Sequence, residues 1–472
     1  MHRHQRLHPL SMSHTTSDAV MTTTSCVNKP SLNVEVRLKD VSCTFVRTDL
    51  VREEVYQWLL NNFIHLRIDQ ELTEFGSLKC GDIIDSISVV DFSGKSSGSA
   101  FHRVADVNVD VHARPARSSQ DESDDDPTAQ FRISSLPSKA LSNAWDGLIF
   151  DDDIPTRLLH SCGRMLTIMR RCRINSSLIN WNRLLLLYGP PGSGKSTLCR
   201  ALAQKLTIRL GKYFTQGKLV EINANAVLSK WFGESGKLVK RMFNQVHKVA
   251  VDETTLVCVL IDEVETLAGC REKAVSGNEI GDALRATNQL LTALDRLRHQ
   301  PNIIVFCTSN LIAAIDPAFL DRVDITECIP QPSPRAVYEI FRSGLQELMR
   351  CNIITQGGGS TVVNPTQCGH DGACSRPPKS GCESKTVQLL PSLAEVEIHL
   401  WNRPEAPGSR LWAIAQNCRG FSGRSLRRLP MLSIAMYTYG EACTIEEALH
   451  AMATAVGEEI ARMEDGKNGS SM

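Results

Sequence analysis

The clearest chemical signal in this chain of 472 residues is a glycine-rich stretch, GPPGSGKST, at positions 189–197. It fits the pattern G-x-x-x-x-G-K-[ST], and it lies between an apolar run, RLLLLY, and leucines at helical spacing. Glycines let backbone N–H groups turn towards an anion, and the first turn of a helix adds positive potential. The stretch therefore predicts a loop that binds the phosphates of a nucleoside triphosphate. Its predicted contacts are Gly189, Pro190, Pro191, Gly192, Ser193, Gly194, Lys195, Ser196 and Thr197.

Two acidic residues, Asp262 and Glu263, follow the continuous apolar run TLVCVLI. A buried strand of this kind delivers its last residues to the ligand edge of an open α/β sheet. We expect Lys195 to reach the β and γ phosphates, and Ser196 and Asp262 to hold Mg²⁺. Glu263 then stands where a carboxylate orients a water and accepts its proton during attack on the γ-phosphate. The pair favours hydrolysis over transfer to a substrate hydroxyl, although acids at strand ends also cap helices.

Another apolar run, IIVFCTS, ends at Asn310 and places an amide at the same edge of the predicted sheet. There the amide is expected to hold the attacking water, whereas an isolated asparagine at a strand end usually forms a turn. Further along the chain, Arg322 lies in DPAFLDRVD. Its guanidinium is predicted either to neutralise a γ-phosphate bound by a neighbouring subunit or to pair locally with Asp321 or Asp324. The spacing alone leaves both interpretations open.

A basic motif near the C-terminus, GFSGRSLRRLP, places Arg424 close to the start of a predicted helix that Ser422 would cap. A cation at a helix N-terminus opposes the helix dipole. That unfavourable interaction is tolerable if Arg424 faces phosphate. The alternative is a basic solvent-exposed face that Arg424 shares with Arg427 and Arg428.

An aromatic pair, Trp231 and Phe232, stands in KWFGESG before a stretch whose apolar residues share one helical face. The following glycine suggests that the pair lies at a loop tip. Two aromatic side chains there would grip a polypeptide by stacking and apolar contact, and they would equally serve as core residues. Periodicity does not decide between these interpretations.

The elements that position these groups alternate along the chain. From about residue 140 to 333, short apolar runs alternate with helical stretches, which is typical of a parallel sheet covered on both faces. The predicted organisation is a disordered tail at 1–30, an α+β domain at 31–112, an acidic linker at 113–139, an α/β domain at 140–333, a helical domain at 334–464 with a flexible insertion at 355–388, and a disordered tail at 465–472.

Composition excludes several classes of protein. Lys and Arg number 52 and Asp and Glu also number 52, so no global charge draws the chain to nucleic acid or anionic lipid. The 16 cysteines are scattered, several within apolar runs, which favours a reducing compartment. The cysteines of the insertion match no tight zinc-binding spacing. No apolar run is long enough to cross a membrane, so a soluble intracellular protein is predicted.

The ordered motifs GPPGSGKST, KWFGESG, LVCVLIDEVETL, CTSN, DPAFLDRVD and GFSGRSLRRLP resemble those of AAA+ ATPases, and specifically the pachytene checkpoint protein 2 family. The strings SLINWNRLLLLYGPPGSGK and LSKWFGESGKLVKRMF are the most diagnostic. The resemblance covers about residues 141–464 apart from the insertion, and it continues more weakly through the N-terminal domain. It implies an AAA+ P-loop NTPase core with a C-terminal helical lid and an N-terminal α+β domain.

The resemblance also implies roles for single residues. Lys195, Ser196 and Thr197 are similar to the Walker A contacts, Asp262 and Glu263 to Walker B, Asn310 to sensor 1, Arg424 to sensor 2, Trp231 to the leading pore-loop aromatic residue and Arg322 to the arginine finger. Wider AAA+ relatives carry two arginines in a longer finger segment, so the solitary Arg322 departs from their pattern. The insertion at 355–388 departs from the compact family pattern as well.

The family's activity implies ring-shaped homohexamers that hydrolyse ATP with Mg²⁺ at subunit interfaces and remodel HORMA-domain proteins. The clients would be meiotic chromosome-axis or spindle-checkpoint proteins, engaged by the N-terminal domain directly or through an adaptor. This implies roles in the meiotic recombination checkpoint, chromosome synapsis and mitotic checkpoint silencing. It also implies a nuclear location on chromosomes or kinetochores with a cytoplasmic fraction, and no direct contact with nucleic acid or membrane.

Two other functions compete with protein remodelling. One is a DNA-dependent AAA+ ATPase of the loader type, for which the sequence supplies no basic groove with interleaved aromatic residues. The other is a scaffold that binds ATP in order to assemble and never hydrolyses it. The intact Glu263 argues against the scaffold.

Overall fold

A computed structural model describes residues 29–39, 48–68, 70–94, 101–114, 131–171, 178–179, 181–224, 235–269, 279–355, 390–399 and 403–469. These residues form an N-terminal α+β unit, a large α/β unit and a C-terminal helical unit, in that order. The fold class predicted from the sequence is therefore confirmed. The predicted pore-loop aromatic residues, Trp231 and Phe232, and the predicted insertion lie outside the described residues, apart from the first position of the insertion.

The N-terminal unit is a small sheet with one helix packed on it. Its elements are β1 (Ser31–Leu38), α1 (Thr48–Asn62), β2 (His65–Arg67), β3 (Glu71–Leu72), β4 (Ile84–Phe92), β5 (Phe101–Arg103) and β6 (Asn108–Arg114). Strand β1 pairs antiparallel with β4 and parallel with β6, and β3 lies outside β4. The apolar face of α1 carries Val51, Val55, Trp58 and Leu59, which are buried against this sheet as their helical spacing predicts.

The large unit contains a six-stranded sheet with helices on both faces. In spatial order its strands are β12 (Ile325–Cys328), β8 (Leu184–Tyr188), β11 (Ile303–Ser309), β10 (Thr255–Asp262), β9 (Gln216–Asn223) and β7 (Phe131–Leu136). Its helices are α2 (Ile154–Arg171), α3 (Lys195–Arg209), α4 (Ser235–Ala250), α5 (Glu279–Leu297) and the short α6 (Pro317–Leu320). All neighbouring strands are parallel except β7, which runs antiparallel to β9.

Alternate residues of the central strands enter two separate cores. In β11, Val305 and Cys307 pack in the core that includes α4 and α5, whereas Ile304 and Phe306 pack in the core that includes α2 and α3. Covering both faces explains why these strands are apolar throughout. It also brings the carboxyl ends of β8, β10 and β11 to one edge of the sheet.

Strand β7 lies within residues 113–139, for which the sequence predicted a linker. Phe131 and Ile133 alternate with polar residues and pack against the core of the large unit. Because β7 is an edge strand, it needs apolar residues on one face only, and its short alternation was hidden behind the acidic run. The segment before the predicted α/β domain is therefore part of its sheet.

The C-terminal unit consists mainly of helices. Its elements are α7 (Pro334–Arg350), β13 (Ile354–Thr355), α8 (Leu393–His399), α9 (Pro407–Asn417), α10 (Gly423–Tyr437), β14 (Cys443–Thr444) and α11 (Ile445–Gly469). Ser333 caps α7 by accepting from the Ala336 backbone N–H, and Pro334 occupies the first helical position. Helix α11 continues past residue 464, into the segment for which the sequence predicted a disordered tail.

A buried ion cluster joins the N-terminal unit to the large unit. Asp91 of β4 accepts from Lys205 Nζ at 3.1 Å and from Arg209 Nε at 2.7 Å. Both cations lie on α3, and Asp91 is 5 % exposed. A carboxylate buried between two cations fixes the position of both elements, because removing one partner would leave a buried charge without compensation. The N-terminal unit is thus fastened to the helix that begins at Lys195.

Candidate active site

The loop at residues 189–194 connects β8 to α3 and turns through conformations that favour glycine. Gly189 has φ 145°, and a Cβ on it would lie 2.2 Å from the Ile329 carbonyl oxygen. Gly192 has φ 72°, and a Cβ there would lie 2.9 Å from Cβ of Ser422. Both positions exclude a side chain because of backbone strain and lack of space. The glycines are therefore required for the loop to pass between the sheet and the C-terminal unit.

The side chain of Lys195 folds back over this loop. Its Nζ donates to the carbonyl oxygens of Gly189 at 2.9 Å and Pro190 at 2.8 Å. Burial lowers the pKa of Lys195, while the nearby carboxylates, first among them Asp262, act in the opposite direction. The ammonium is thus held at the mouth of the phosphate loop.

Asp262 is the centre of a small group of oxygen ligands. Its Oδ1 accepts from Ser196 Oγ at 2.6 Å and also from Thr308 Oγ1. Thr308 Oγ1 in turn accepts from the Glu263 backbone N–H at 3.2 Å. Carboxylate and hydroxyl oxygens are hard ligands of the kind that Mg²⁺ prefers. The structure therefore brings together the two residues that the sequence predicts as metal ligands.

No cluster of three or more His, Cys, Asp and Glu side chains that could hold a metal ion occurs within the described ranges. A site with one carboxylate and one hydroxyl suits a cation that takes its remaining ligands from phosphates and water. Asp262 and Ser196 consequently fit a nucleotide-bound Mg²⁺ better than a metal centre built by the protein alone.

Glu263 adopts a left-handed backbone conformation, with φ 55° and ψ 51°. This conformation costs a non-glycine residue roughly 1–3 kcal/mol, and such residues cluster at functional sites. The turn it makes directly after β10 leaves Glu263 lining the same cavity as Lys195 and Asp262. Strain at this position is therefore consistent with a carboxylate that is placed for chemistry.

Asn310 follows β11 and also lines the cavity. Its backbone N–H donates to Glu265 Oε1 at 2.9 Å, which fixes the chain where the strand ends. Glu263 and Asn310 thus come from neighbouring parallel strands and face one space, as the sequence predicts for groups at the carboxyl edge of the sheet.

The C-terminal unit closes the cavity from the opposite side. Ser422 caps α10 by accepting from the Ser425 backbone N–H at 3.1 Å, which confirms the predicted cap. Arg424 lines the cavity, and its backbone N–H donates to the Gly192 carbonyl oxygen at 3.3 Å. The same face presents Arg427, whose pKa is lowered by burial and whose guanidinium donates to the Gly147 carbonyl oxygen.

The cavity has a volume of about 520 Å³ and is lined by both polar and apolar residues. The polar lining comes from the phosphate loop, the acid pair, Asn310 and Arg424. The apolar lining includes Leu148, Ile149, Phe150, Pro332 and Ile340. A volume of this size with cationic and apolar lining suits a nucleotide, whose phosphates bind to cations and N–H groups and whose base packs on apolar side chains.

Three family models match this chain, one in each of the three units of the fold. The description "TRIP13 N-terminal domain" matches residues 27–113, "ATPase family associated with various cellular activities (AAA)" matches 185–331, and "TRIP13-like, AAA+ ATPase lid C-terminal domain" matches 333–460. A pachytene checkpoint protein 2 homolog from Xenopus tropicalis is 37 % identical over 438 residues, covering 91 % of this chain and 94 % of the relative. The chain belongs to the pachytene checkpoint protein 2 family.

Other members of the family give the same result. The Homo sapiens homolog is 35 % identical over 448 residues, covering 92 % of this chain and 95 % of that protein. The solved structure of C. elegans PCH-2 covers 91 % of this chain and 99 % of its own, with 28 % identity and a TM-score of 0.64. As a member of this family, the chain is an AAA+ ATPase that binds nucleotide and hydrolyses ATP. A scaffold that never hydrolyses ATP is thereby excluded.

Arg322, which the sequence predicts as the arginine finger, does not line the cavity of its own chain. Its guanidinium pairs with Asp295 of α5, at 2.9 Å from Nε and 3.0 Å from Nη2. Asp324, which the sequence offers as a local partner, instead accepts from the backbone N–H of Leu184 at 3.0 Å. The predicted local pair is therefore replaced by one between distant elements, because the chain folds α5 against this segment.

Several residues at the site were not identified from the sequence. Thr308 and Glu265 lie within two positions of predicted residues, so the polar ends of CTSN and DEVE contained the signal. Arg427 was considered only as part of a solvent-exposed face. The apolar lining residues 148–150 had no recognisable signal, because an apolar triplet outside a strand has no periodicity.

The described helices include none that is both long and apolar enough to cross a bilayer.

Proposed function

We propose that this ATPase assembles as a ring-shaped homohexamer and couples ATP hydrolysis to the remodelling of HORMA-domain proteins. The observation that carries the proposal is the cavity in which the phosphate loop, Glu263, Asn310 and Arg424 converge. Both the large unit and the C-terminal lid line it, and the Gly192 carbonyl oxygen bonds directly to the lid backbone. Loss of the γ-phosphate would change the charge between these units, which gives hydrolysis a mechanical consequence.

The polar residues that line the cavity have different roles in the proposed reaction. Lys195 binds the β and γ phosphates, and the loop N–H groups neutralise their charge. Glu263 orients the attacking water and accepts its proton, while the Asn310 amide fixes the same water in line with the phosphate. Arg424 binds the γ-phosphate from the lid.

Ser196 and Asp262 would hold Mg²⁺, which neutralises charge on the phosphate oxygens when bound. These two side chains already share a hydrogen bond of 2.6 Å, so they need little rearrangement to present their oxygens together. Thr308 supports Asp262 from the neighbouring strand.

The client-binding part of the proposal rests on family membership and on the junction between the units. The N-terminal unit, which would engage the client or its adaptor, is fastened through Asp91 to α3 of the ATPase unit. Movement of α3 would therefore reach the N-terminal unit. Trp231 and Phe232 would grip a client segment in the central pore by apolar contact.

Membership of the family supports a proposal about the cellular location of the activity. We expect it in the nucleus, on chromosomes or kinetochores, with a cytoplasmic fraction. There it would serve the meiotic recombination checkpoint, chromosome synapsis and mitotic checkpoint silencing. No direct contact with nucleic acid is proposed, since the sequence has no net positive charge.

A substrate trap tests the remodelling function. The variant Glu263→Gln should bind ATP, turn it over far more slowly and retain its client, so a pull-down with ATP should enrich a HORMA-domain protein. Lys195→Ala is the matched control, because it should bind neither ATP nor client. Recovery of no HORMA-domain protein by an ATP-loaded, turnover-deficient trap would contradict the client assignment.

Mixed rings test whether active sites are shared between subunits. Arg322→Ala should lower the turnover rate on the order of 10³-fold or more if its guanidinium acts on a neighbouring γ-phosphate. Adding Lys195→Ala subunits should restore turnover, because they bind no ATP but supply an intact Arg322. Arg350→Ala serves as the matched control, since Arg350 pairs with Glu347 on the exposed face of α7. Failure of the mixture to regain activity would contradict hydrolysis at subunit interfaces.

A further inference from the structure

The side chain of Arg322 is held in one orientation by three hydrogen bonds. Nε donates to Asp295 Oδ1 at 2.9 Å, Nη2 donates to Asp295 Oδ2 at 3.0 Å, and Nη1 donates to the Ala318 carbonyl oxygen at 2.6 Å. Two parallel bonds between a guanidinium and a carboxylate fix both the plane and the direction of the arginine. The pair is still within reach of a partner, because the Arg322 side chain is 27 % exposed and that of Asp295 43 %.

These bonds use only part of the donor capacity of Arg322. A guanidinium has five N–H bonds, and each of the three contacts uses one of them. One N–H on Nη1 and one on Nη2 remain, and no other acceptor for them occurs in the described part of the chain. The side chain therefore combines a fixed orientation with donors that are available to a phosphate.

The two partners of this pair are anchored at the start of the same strand, β8. Asn182 Nδ2 donates to the Arg322 carbonyl oxygen at 2.9 Å. The neighbouring Arg183, which is 1 % exposed, donates through Nη2 to the carbonyl oxygens of Leu297, Arg298 and Gln300 at the end of α5. Since Asp295 lies in the last turn of α5, the carboxylate and the arginine are both tied to residues 182–183.

We propose that Asp295 is a positioning residue for Arg322, holding its guanidinium so that the two remaining N–H bonds face a γ-phosphate bound by a neighbouring copy of the chain. The inference rests on the proposed sharing of active sites between subunits. A free arginine side chain has to be ordered when it meets the transition state, whereas a guanidinium fixed by a carboxylate has already lost that freedom. Asp295 acts through Arg322 and does not touch the nucleotide.

The direction in which kcat changes when Asp295 is removed distinguishes a positioning role from an inhibitory one. A carboxylate so close to a guanidinium also weakens its attraction for phosphate, because the opposite charges partly cancel. If Asp295 only restrained Arg322, its removal would raise kcat. Because Asp295 positions Arg322, its removal lowers kcat.

The test is steady-state ATPase kinetics on the full chain. Asp295→Ala should lower kcat by roughly tenfold to a hundredfold and leave the KM for ATP unchanged, because the nucleotide contacts of its own cavity are intact. Asp295→Glu should recover part of kcat, since it restores the carboxylate. Asp321→Asn is the matched control: this exposed acid precedes Arg322 and attracts it electrostatically but forms no hydrogen bond with it, so kcat should change far less than in Asp295→Ala.

A double variant distinguishes positioning from a general structural role. Asp295→Ala combined with Arg322→Ala should be no slower than Arg322→Ala alone, because Asp295 has nothing left to position. Independent, multiplicative losses would overturn the proposal. Mixing Asp295→Ala subunits with Lys195→Ala subunits should restore turnover, as the latter present a correctly held Arg322.

The failure of this inference can be told from the failure of the proposed function. If Arg322→Ala retains full turnover, the shared active site is wrong. If Arg322→Ala is slow while Asp295→Ala has unchanged or raised kcat, the shared site stands and the positioning role is overturned. Should Asp295→Ala not fold, Asp295→Asn replaces it, since it keeps the shape and one acceptor, and the same outcomes apply to its kcat.

Discussion

The two ends of β11 carry the same residue type in different surroundings. Asn302 precedes the strand and is 0 % exposed, with Nδ2 donating to the carbonyl oxygens of Ala250, Asp252 and Thr255. Asn310 follows the strand, is half-buried and lines the nucleotide cavity. The first amide binds three carbonyl groups of the single segment at residues 250–255, and the second lies at an open cavity.

The same difference extends along both edges of the sheet. At the amino edge, Arg183 and Asp324 are engaged by backbone groups of neighbouring segments. At the carboxyl edge, Asp262 and Glu263 point to an open cavity. A polar residue at a strand end is therefore not by itself a sign of function, since its role depends on whether backbone groups occupy its hydrogen-bonding capacity.

The largest effect should come from Glu263, on the carboxyl edge. Glu263→Gln should lower kcat by roughly 10²–10⁴-fold, because an amide cannot accept the proton of the attacking water. Retained ATP binding, measured by equilibrium titration, is the control. Turnover close to that of the parent chain would contradict its assignment as the base and remove the main functional contrast between the edges.

Asn310→Ala should give the next largest effect, again on catalysis. Loss of a polar group that acts on the transition state lowers kcat by on the order of 10²-fold. The free energy of unfolding should change by less than about 0.5 kcal/mol, since the side chain is not part of the core. Kinetics together with denaturant unfolding check both parts, and a large loss of stability would erase the contrast with Asn302.

Asn302→Ala should show the reverse pattern. Its removal leaves three carbonyl groups without their donor, two of them in buried hydrogen bonds, so the free energy of unfolding should fall by about 2–3 kcal/mol. The kcat of the folded protein should stay near that of the parent chain, because Asn302 lies at the opposite end of the strand from the cavity. A strong loss of kcat without a loss of stability would contradict the proposed division between the edges.

The smallest effect is expected for Thr308→Val, which refines the comparison between structural and chemical residues. Thr308 is 1 % exposed, accepts from the Glu263 backbone N–H and donates to Asp262, so it has a structural and a chemical partner. We expect a loss of about 1 kcal/mol in the free energy of unfolding, because the partly buried N–H of Glu263 loses its acceptor. A moderate fall in kcat should accompany it, whereas Thr308→Ser should restore both because it keeps the hydroxyl. If only the free energy of unfolding changed, the role of Thr308 would be structural alone. If only kcat changed, its role would be confined to the chemistry of the site.

Much of the site could be predicted from local sequence. The phosphate loop required glycines at fixed positions between a strand and a helix, and β10 and β11 each ended in polar residues after an apolar run. In a parallel sheet such ends meet at one edge, so the convergence of Lys195, Asp262 and Asn310 followed from the pattern. Strand β7 was missed because its alternation is short and follows an acidic run.

The partner of Arg322 could not be predicted in the same way. Its nearest acids in sequence are Asp321 and Asp324, yet the guanidinium bonds to Asp295, which precedes it by 27 positions. No local spacing encodes a contact between a helix and a later loop, because that contact depends on how both pack against the sheet. The lid residues Arg424 and Arg427 reach the cavity for the same reason.

The amino-acid sequence by itself determined the chemical groups and their order: a glycine loop with Lys195, an acid pair, an amide and two distant arginines. Local rules sufficed because backbone conformation, strand burial and helix capping act over a few residues. Only the tertiary structure decided which polar residues are occupied by backbone partners, as Asn302 is, and which line the cavity, as Asn310 does. That choice depends on contacts between segments far apart in the chain, and these exist only once the sheet has brought them together.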